Sequence, residues 1–469
     1  MQLQFGGSNL QYQPMKHTFH ILIAMCWLMA CNSSSTDQEQ SEKTTTTVEV
    51  AFPERAKDMN IYEVNIRQYT PEGTIKAFAN HLPRLQEMGV DILWVMPVQP
   101  ISEKNRKGPL GSYYSISDYT AVNPNFGTKE DFKAMVDQAH DLGMLVILDW
   151  VANHTGFDHE WTTKKGWHNV DSAGNVTWPA GTDWTDVADL NYDNAEMRQA
   201  MIDDMQWWIT EMNIDGFRCD VAGEVPNDFW EPAIDSLEKI KDVFMLAEWD
   251  EPKMHDAGFD MTYGWGPHHW MNETAKGHLT ADSLESLMEG DSERYGKAAI
   301  RMMFTTNHDE NSWNGTVFER FGEGHKAWAV WAFTVKGMPL IYSGQEAGLN
   351  KRLRFFDKDT IDFSTIPHQQ FYSDLLNLKH HNAALYNGEY GGDSKFVHDD
   401  NPMVSTYVRE KDSNTVTVIV NLSDEEQTVT YSDAVMEGNY TDALSDEKVA
   451  IKLNEGITLA PYQYYIFTN

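Results

Sequence analysis

Arg218 and Asp220 stand two apart in the run GFRCDV. If that run is a strand, both side chains face the same side, and a guanidinium at that distance favours the ionised aspartate. Glu248 closes the strongly apolar run VFMLAEW, where a carboxyl is better placed to keep its proton. An ionised carboxylate beside a carboxylic acid, about 5–5.5 Å apart, is what cleavage of a glycosidic bond with retention needs. The first attacks the anomeric carbon and the second protonates the leaving oxygen. Asp149 and His154 follow in DWVANH, and His308 and Asp309 in TTNHDEN, each at the end of a comparable apolar run. A lone acid at such an end is commonly a helix cap. Four acids, two histidines and an arginine at one rim point to a site. Cys219, between Arg218 and Asp220, faces the other way and reads as packing.

These residues need a scaffold that gathers strand ends. From Asn60 onward, short β-rich apolar runs alternate with longer helical ones, a rhythm that argues for a parallel α/β fold. The runs IYEVNI (61–66), DILWVMP (91–97), MLVILDW (144–150), GFRCDV (216–221), VFMLAEW (243–249), FDMTY (259–263), IRMMFTT (300–306) and PLIYSG (339–344) match a (β/α)8 TIM barrel in number and span. Helical patterns lie between them at 74–89, 128–143 and 195–212, with another at 371–385. Residues 152–194 are a long insertion rich in Trp, Gly, Asp and Asn, without sustained periodicity, and an insertion of that length is usually functional. After Gly391 the pattern turns to short alternating runs, which read as an antiparallel β domain. The expected organisation is a barrel over 51–151 and 195–390, an insertion over 152–194 and a C-terminal β-sandwich over 391–469.

The chain carries 36 basic against 71 acidic residues, a net charge of −35 that repels phosphate backbones, so nucleic acid is excluded as a partner. Sixteen tryptophans in so acidic a chain suit stacking on neutral ligands such as sugars, although most tryptophans are core. Three cysteines allow no disulfide framework. From Met15 the sequence reads MKHTFHILIAMCWLMAC: a basic start, an apolar run too short to span a bilayer, then small Ala30 before Cys31. Residues 1–30 read as an export signal with its start at Met15. The tetrad Leu28 to Cys31 resembles a bacterial lipobox, which implies cleavage before Cys31 and a lipid on its thiol that holds the exported protein to a membrane. Residues 31–50 read as a flexible tether.

The motifs DWVANH (149–154), GFRCDVA (216–222), LAEWD (246–250) and TTNHDEN (305–311) resemble, in order and in strand placement, the four signature regions of glycoside hydrolase family 13, the α-amylase family. GSYYSISDY (111–119), VADLN (187–191) and GMPLIYSGQE (337–346) extend the resemblance over most of residues 55–469. The resemblance implies Asp220 as nucleophile, Glu248 as general acid/base and Asp309 as the third acid. It implies substrate contacts from Tyr114, His154, His308, Asp149, Arg218 and Trp249, with Tyr114 stacking on the sugar being cleaved. The insertion becomes the family's short domain B. The implied activity is retaining hydrolysis of α-1,4 bonds in starch, glycogen or maltodextrins. An exo-acting α-glucosidase, a neopullulanase- or cyclomaltodextrinase-like enzyme or a transglycosylase would share the same site, and a non-catalytic carbohydrate-binding barrel is the alternative of another class. A shared calcium site would use Asn153 and Asp189, but the family's third ligand, a histidine four residues after the nucleophile, is Glu224 here. The Lys-His pair of many endo-acting members is replaced by Gly223-Glu224. Trp249 and Trp313 are candidates for stacking on the acceptor side. Oligomeric state is left open.

Overall fold

Strands that are apolar on both sides make a parallel sheet with no face to offer water, which helices or closure must cover. The computed structural model describes residues 50–468, and eight strands in it close into a parallel barrel. They are β1 (Ile61–Val64), β2 (Ile92–Val95), β3 (Leu145–Trp150), β6 (Gly216–Cys219), β7 (Phe244–Ala247), β8 (Met261–Tyr263), β9 (Ile300–Met303) and β10 (Met338–Tyr342). Each pairs with the next in the order β1-β2-β3-β6-β7-β8-β9-β10, and β10 returns to β1. The insertion between β3 and β6 is organised by a short antiparallel ribbon, β4 (His154–Gly156) with β5 (Val187–Asp189), in which His154 lies opposite Asp189.

The period of two decides what enters the barrel. Ile61, Ile92, Leu145, Ile147, Phe244, Leu246, Ile300, Met302, Met338 and Leu340 form one buried interior cluster. The same parity carries inward, toward the strand C-termini, Glu63, Asp149 and Arg218. Register levels them: Glu63 is opposite Trp94, and Asp149 opposite Arg218. The ladder then runs one bond further on two strands, with Asp220 N–H donating to Trp150 O at 2.9 Å and Glu248 N–H to Cys219 O at 3.0 Å. Those bonds fix where the two acids leave the sheet. Cys219 packs in the outer cluster, between barrel and helices.

Local signals set the helices. Thr128 and Asp131 form a reciprocal capping box on Lys129–Asp141, and Asn194 caps Ala195–Met212. The pattern at 74–89 is two helices, Ile75–Ala79 and Leu82–Met88, rather than one. Pro83 explains the break: it has no N–H to give and is tolerated only in the first turn, where it stands.

The C-terminal region is antiparallel throughout. Lys395–Phe396, Val404–Lys411, Asn414–Asn421 and Tyr464–Thr468 make one four-stranded sheet, and two ribbons, Gln427–Thr430 with Gly456–Leu459 and Gly438–Thr441 with Lys448–Ile451, share a core with it. Arg409, fully buried, ties this sheet to the barrel by donating to the carbonyls of Thr334, Val335, Tyr386 and Gly392. No helix among the described residues is long and apolar enough to cross a membrane. The signal and Cys31 anchor fall on residues 1–49, outside the described residues, as does all of the tether except Val50.

Candidate active site

Arg218 organises the barrel mouth. Its side chain has no solvent exposure, and its Nη1 lies 2.9 Å from Asp149 Oδ1 and 3.0 Å from Asp220 Oδ1. Nε donates to Tyr263 Oη at 3.1 Å. Nη2 lies 2.9 Å from Glu248 Oε2, a charge contact without hydrogen-bond alignment. Glu248 Oε2 takes its aligned bond instead from the Val221 N–H, at 2.8 Å. Val221 adopts φ 36° and ψ 47°, a left-handed conformation that is strained for a β-branched residue. The strain turns a backbone donor toward the carboxyl of the neighbouring strand.

A second chain of contacts runs from the inside of β1. Glu63 Oε1 is 2.5 Å from His308 Nδ1, and His308 Nε2 is 2.8 Å from Tyr114 Oη and 3.4 Å from Asp309 Oδ2. Tyr114 Oη donates to Asp149 Oδ2 at 3.0 Å, which also accepts from Trp94 Nε1 at 3.1 Å. The structure therefore brings Asp149, Arg218, Asp220, Glu248, Tyr114, His308 and Asp309 into one network. Asp309 is its most open acid, with its side chain 36% exposed.

Burial dominates the electrostatics. It pushes Glu248 up to about 7, against Arg218 and with help from Asp220 and Asp309. It also pushes Asp220 up to about 6, overcoming Arg218, and the charge of Asp149 adds to the rise. The sequence suggests that Arg218 holds Asp220 low; in the structure one guanidinium serves three carboxyls, so no single carboxyl has it to itself. Asp149 is likewise raised to about 6 by burial. Burial opposes a charge on His308, but Asp309 and Glu63 outweigh it and raise this imidazole to about 9, so both ring nitrogens donate at neutral pH. The site thus holds one carboxyl that ionises first, one that keeps its proton longer, and a fixed imidazolium beside them.

His154 is buried, with Nδ1 3.2 Å from Asn153 Nδ2 and its ring 5.7 Å from that of Trp184. Burial lowers its pKa to about 4, so it is neutral at the mouth. Trp249 lies directly over Gly223, where a Cβ would come within 2.1 Å of the indole, which gives the sequence's Gly223 a steric reason. The two tryptophans have different neighbours: Trp313, 52% exposed, joins Phe355 and Phe356, and Phe355 lies parallel to Tyr114 at 6.2 Å.

For a cation, the relevant groups are Asn153, Asp189 and Glu224. Asn153 points its amide nitrogen at His154, leaving the amide oxygen available. Asp189 accepts from Asn169 Nδ2 at 2.7 Å, and burial together with the charge of Glu224 raises its pKa. These are hard oxygen donors of the kind calcium takes, fewer than its usual six to eight, so backbone or water oxygens would complete the shell. Among the described residues no group of three or more His, Cys, Asp or Glu side chains is arranged to hold a metal ion.

Glu63, Trp94, Val221 and Tyr263 belong to the site and are not singled out by the sequence reading. A signal exists for Glu63: it is an acid in an apolar run, at the inward parity set by Ile61. Val221 carries none, since its role is that of its backbone.

Residues 39–179 and 182–264 match the family described as alpha amylase, catalytic domain, and residues 394–466 match that described as maltogenic amylase, C-terminal domain. The chain is 28% identical over 429 residues to the alpha-amylase MalA of Haloarcula japonica, covering 86% of this chain and 62% of the relative. It is 25% identical to a cyclomaltodextrinase of a Bacillus species, over 74% of this chain and 65% of that protein. The chain thus spans somewhat less than two thirds of these two relatives. Among solved structures, a maltogenic alpha-amylase, AmyB, of Thermotoga neapolitana superposes with a TM-score of 0.79 at 30% identity, over 88% of this chain and 98% of the other. An alpha-amylase of Lactobacillus plantarum gives 0.78 at 29%, over 88% and 99%.

Proposed function

The chain belongs to the α-amylase family, glycoside hydrolase family 13, and we propose that it is a retaining α-glucan hydrolase acting on α-1,4 bonds of starch, glycogen or maltodextrins. The observation that carries this is the shared guanidinium: Asp220 Oδ1 and Glu248 Oε2 lie 3.0 and 2.9 Å from the two terminal nitrogens of buried Arg218. Two carboxyls on one guanidinium are held at a single point of the barrel mouth, and double displacement needs such a pair, about 5–5.5 Å apart. In this reading ionised Asp220 attacks the anomeric carbon while Glu248 protonates the departing oxygen. The covalent ester neutralises Asp220, which removes a like charge from Glu248 and lowers its pKa, so that it next takes a proton from the attacking water. Asp309, with the His308 imidazolium behind it, holds sugar hydroxyls, Tyr114 and His154 line the same subsite, and Trp249 stacks beside it.

The test is a product profile on amylose. Mid-size oligosaccharides with new reducing ends support endo action, and glucose alone would make the enzyme exo-acting. Binding without product would leave a carbohydrate-binding barrel. A second reading, an enzyme that takes cyclic dextrins or releases maltose, is favoured by the match of residues 394–466 to a maltogenic amylase domain. Cyclodextrin opened faster than amylose is cut would select it.

Calcium held by Asn153, Asp189 and Glu224 would fasten the β4–β5 ribbon to the barrel; chelation should then lower the melting temperature, and an unchanged melt would dismiss the ion. The lipobox supports export and a lipid on Cys31, with the enzyme on an outer-membrane face, periplasmic or at the cell surface. Cys31→Ser should release it to the soluble fraction, and identical fractionation without acyl chains on either form would remove the anchor.

A further inference from the structure

The segment Glu248-Trp249-Asp250 leaves β7 without regular structure, yet carries the residue read above as the acid. Its far end is held by four donors. Asp250 Oδ1 accepts from Tyr295 Oη at 2.6 Å and from Arg301 Nη2, and Oδ2 accepts from the Gly266 N–H at 2.6 Å. The Asp250 carbonyl accepts from Arg294 Nη2 at 3.2 Å.

Arg301 is the centre of this clamp. It stands between Ile300 and Met302, both in the barrel interior, so alternation turns it outward from β9. Its Nη1 donates to Thr262 Oγ1 on β8 at 2.6 Å, its Nε to Asp291 Oδ2 at 3.1 Å, and its guanidinium lies 3.6 Å over the Tyr295 ring. Arg301 and Asp291 are each 6% exposed. Outward positions on other barrel strands, Val146 on β3, Phe217 on β6 and Met245 on β7, are apolar packing residues. A buried ion pair is weak stabilisation, and an apolar side chain of similar volume often does as well. What the fork adds is direction, two carboxylates fixed at once.

We propose that Arg301, acting through Asp250, is a positioning residue for Glu248: it fixes the far end of the segment whose near end is fixed by the Val221 N–H. The inference rests on the reading of Glu248 as general acid. A misplaced acid hurts substrates that need protonation at the leaving oxygen and spares those that do not.

The test uses Asp250→Asn, which keeps one acceptor oxygen and leaves the Arg301–Asp291 pair intact, alongside Arg301→Ala. Turnover is measured on maltoheptaose and on a nitrophenyl maltooligoside, whose leaving group needs little protonation. We expect kcat on maltoheptaose to fall about 10²-fold, the loss that misplacement of about 1 Å brings, while KM and the first-turnover release of nitrophenol, which reads glycosylation alone, stay nearly unchanged. Arg301 lines a cavity of about 550 Å³ between Met288–Tyr295 and Asp393–Phe396, so millimolar guanidinium should restore part of the lost rate in Arg301→Ala. Equal loss of maltoheptaose turnover and of first-turnover nitrophenol release, or loss explained wholly by a smaller folded fraction, would overturn the clamp. A readout independent of turnover is the crystal structure of Asp250→Asn, in which the 2.8 Å bond from Val221 to Glu248 should be broken. Its retention overturns the inference, whereas an unaltered chain that cleaves neither substrate overturns the glycosidase reading instead.

Discussion

The pH profile sets burial against Arg218, and the two give different numbers. Asp220 is raised from 3.8 to about 6 and Glu248 from 4.5 to about 7. At about 1.36 kcal/mol per unit, the protein opposes ionisation of Asp220 by about 3 kcal/mol in spite of the guanidinium. In the proposed mechanism the productive form has Asp220 ionised and Glu248 protonated, so kcat/KM should rise through about 6, fall through about 7 and peak near pH 6.5, with about 60% of the enzyme competent there. At pH 4.5 only about 3% would be competent. If Arg218 kept Asp220 at or below its ordinary value, more than about 80% would be competent at that pH. The assay is initial rates on maltoheptaose from pH 3.5 to 9 at fixed ionic strength, with melting curves to show that the fold is intact. Because the groups interact, the limbs belong to the pair. Glu248→Gln, followed on a nitrophenyl substrate, should lose the alkaline limb and keep the acidic one. More than half-maximal activity at pH 4.5 in a folded enzyme would refute the claim that burial wins.

Asp220→Asn should abolish turnover and, above about pH 6, raise stability by up to about 3 kcal/mol. The sign follows from the raised pKa: between 3.8 and about 6 the unfolded chain ionises Asp220 first, so the wild type loses stability as pH rises and the amide does not. Equal shifts in melting temperature at pH 4 and pH 8 would contradict it. Gly223→Ala places a Cβ 2.1 Å from the Trp249 ring and should cost about 1–3 kcal/mol by overpacking, read by calorimetry; an unchanged melt would show that the indole moves freely. Glu63→Gln removes a charge-assisted bond worth about 1.5–3 kcal/mol, which should lower the pKa of His308 by about one to two units in an NMR titration. A value that stays near 9 would assign the shift to Asp309 alone.

Eight short apolar runs alternating with helical ones were enough to read the barrel. The parity that points Arg218 and Asp149 inward is a property of each strand by itself, and so is the apolar character that sets Glu248 apart. The GFRCDV run also places Cys219 outward without any knowledge of its neighbours. What a run cannot contain is how a charge is shared. Arg218 looks like the partner of Asp220 because they are two apart, yet β3 and β7 bring Asp149 and Glu248 to the same guanidinium, and burial then outweighs it. Glu63 reaches His308 across 245 positions, and Asp250 reaches Arg301 across 51. The inward face of each strand is decided over two residues, whereas dielectric, shared charge and the aim of the Val221 N–H exist only once distant strands have closed the barrel.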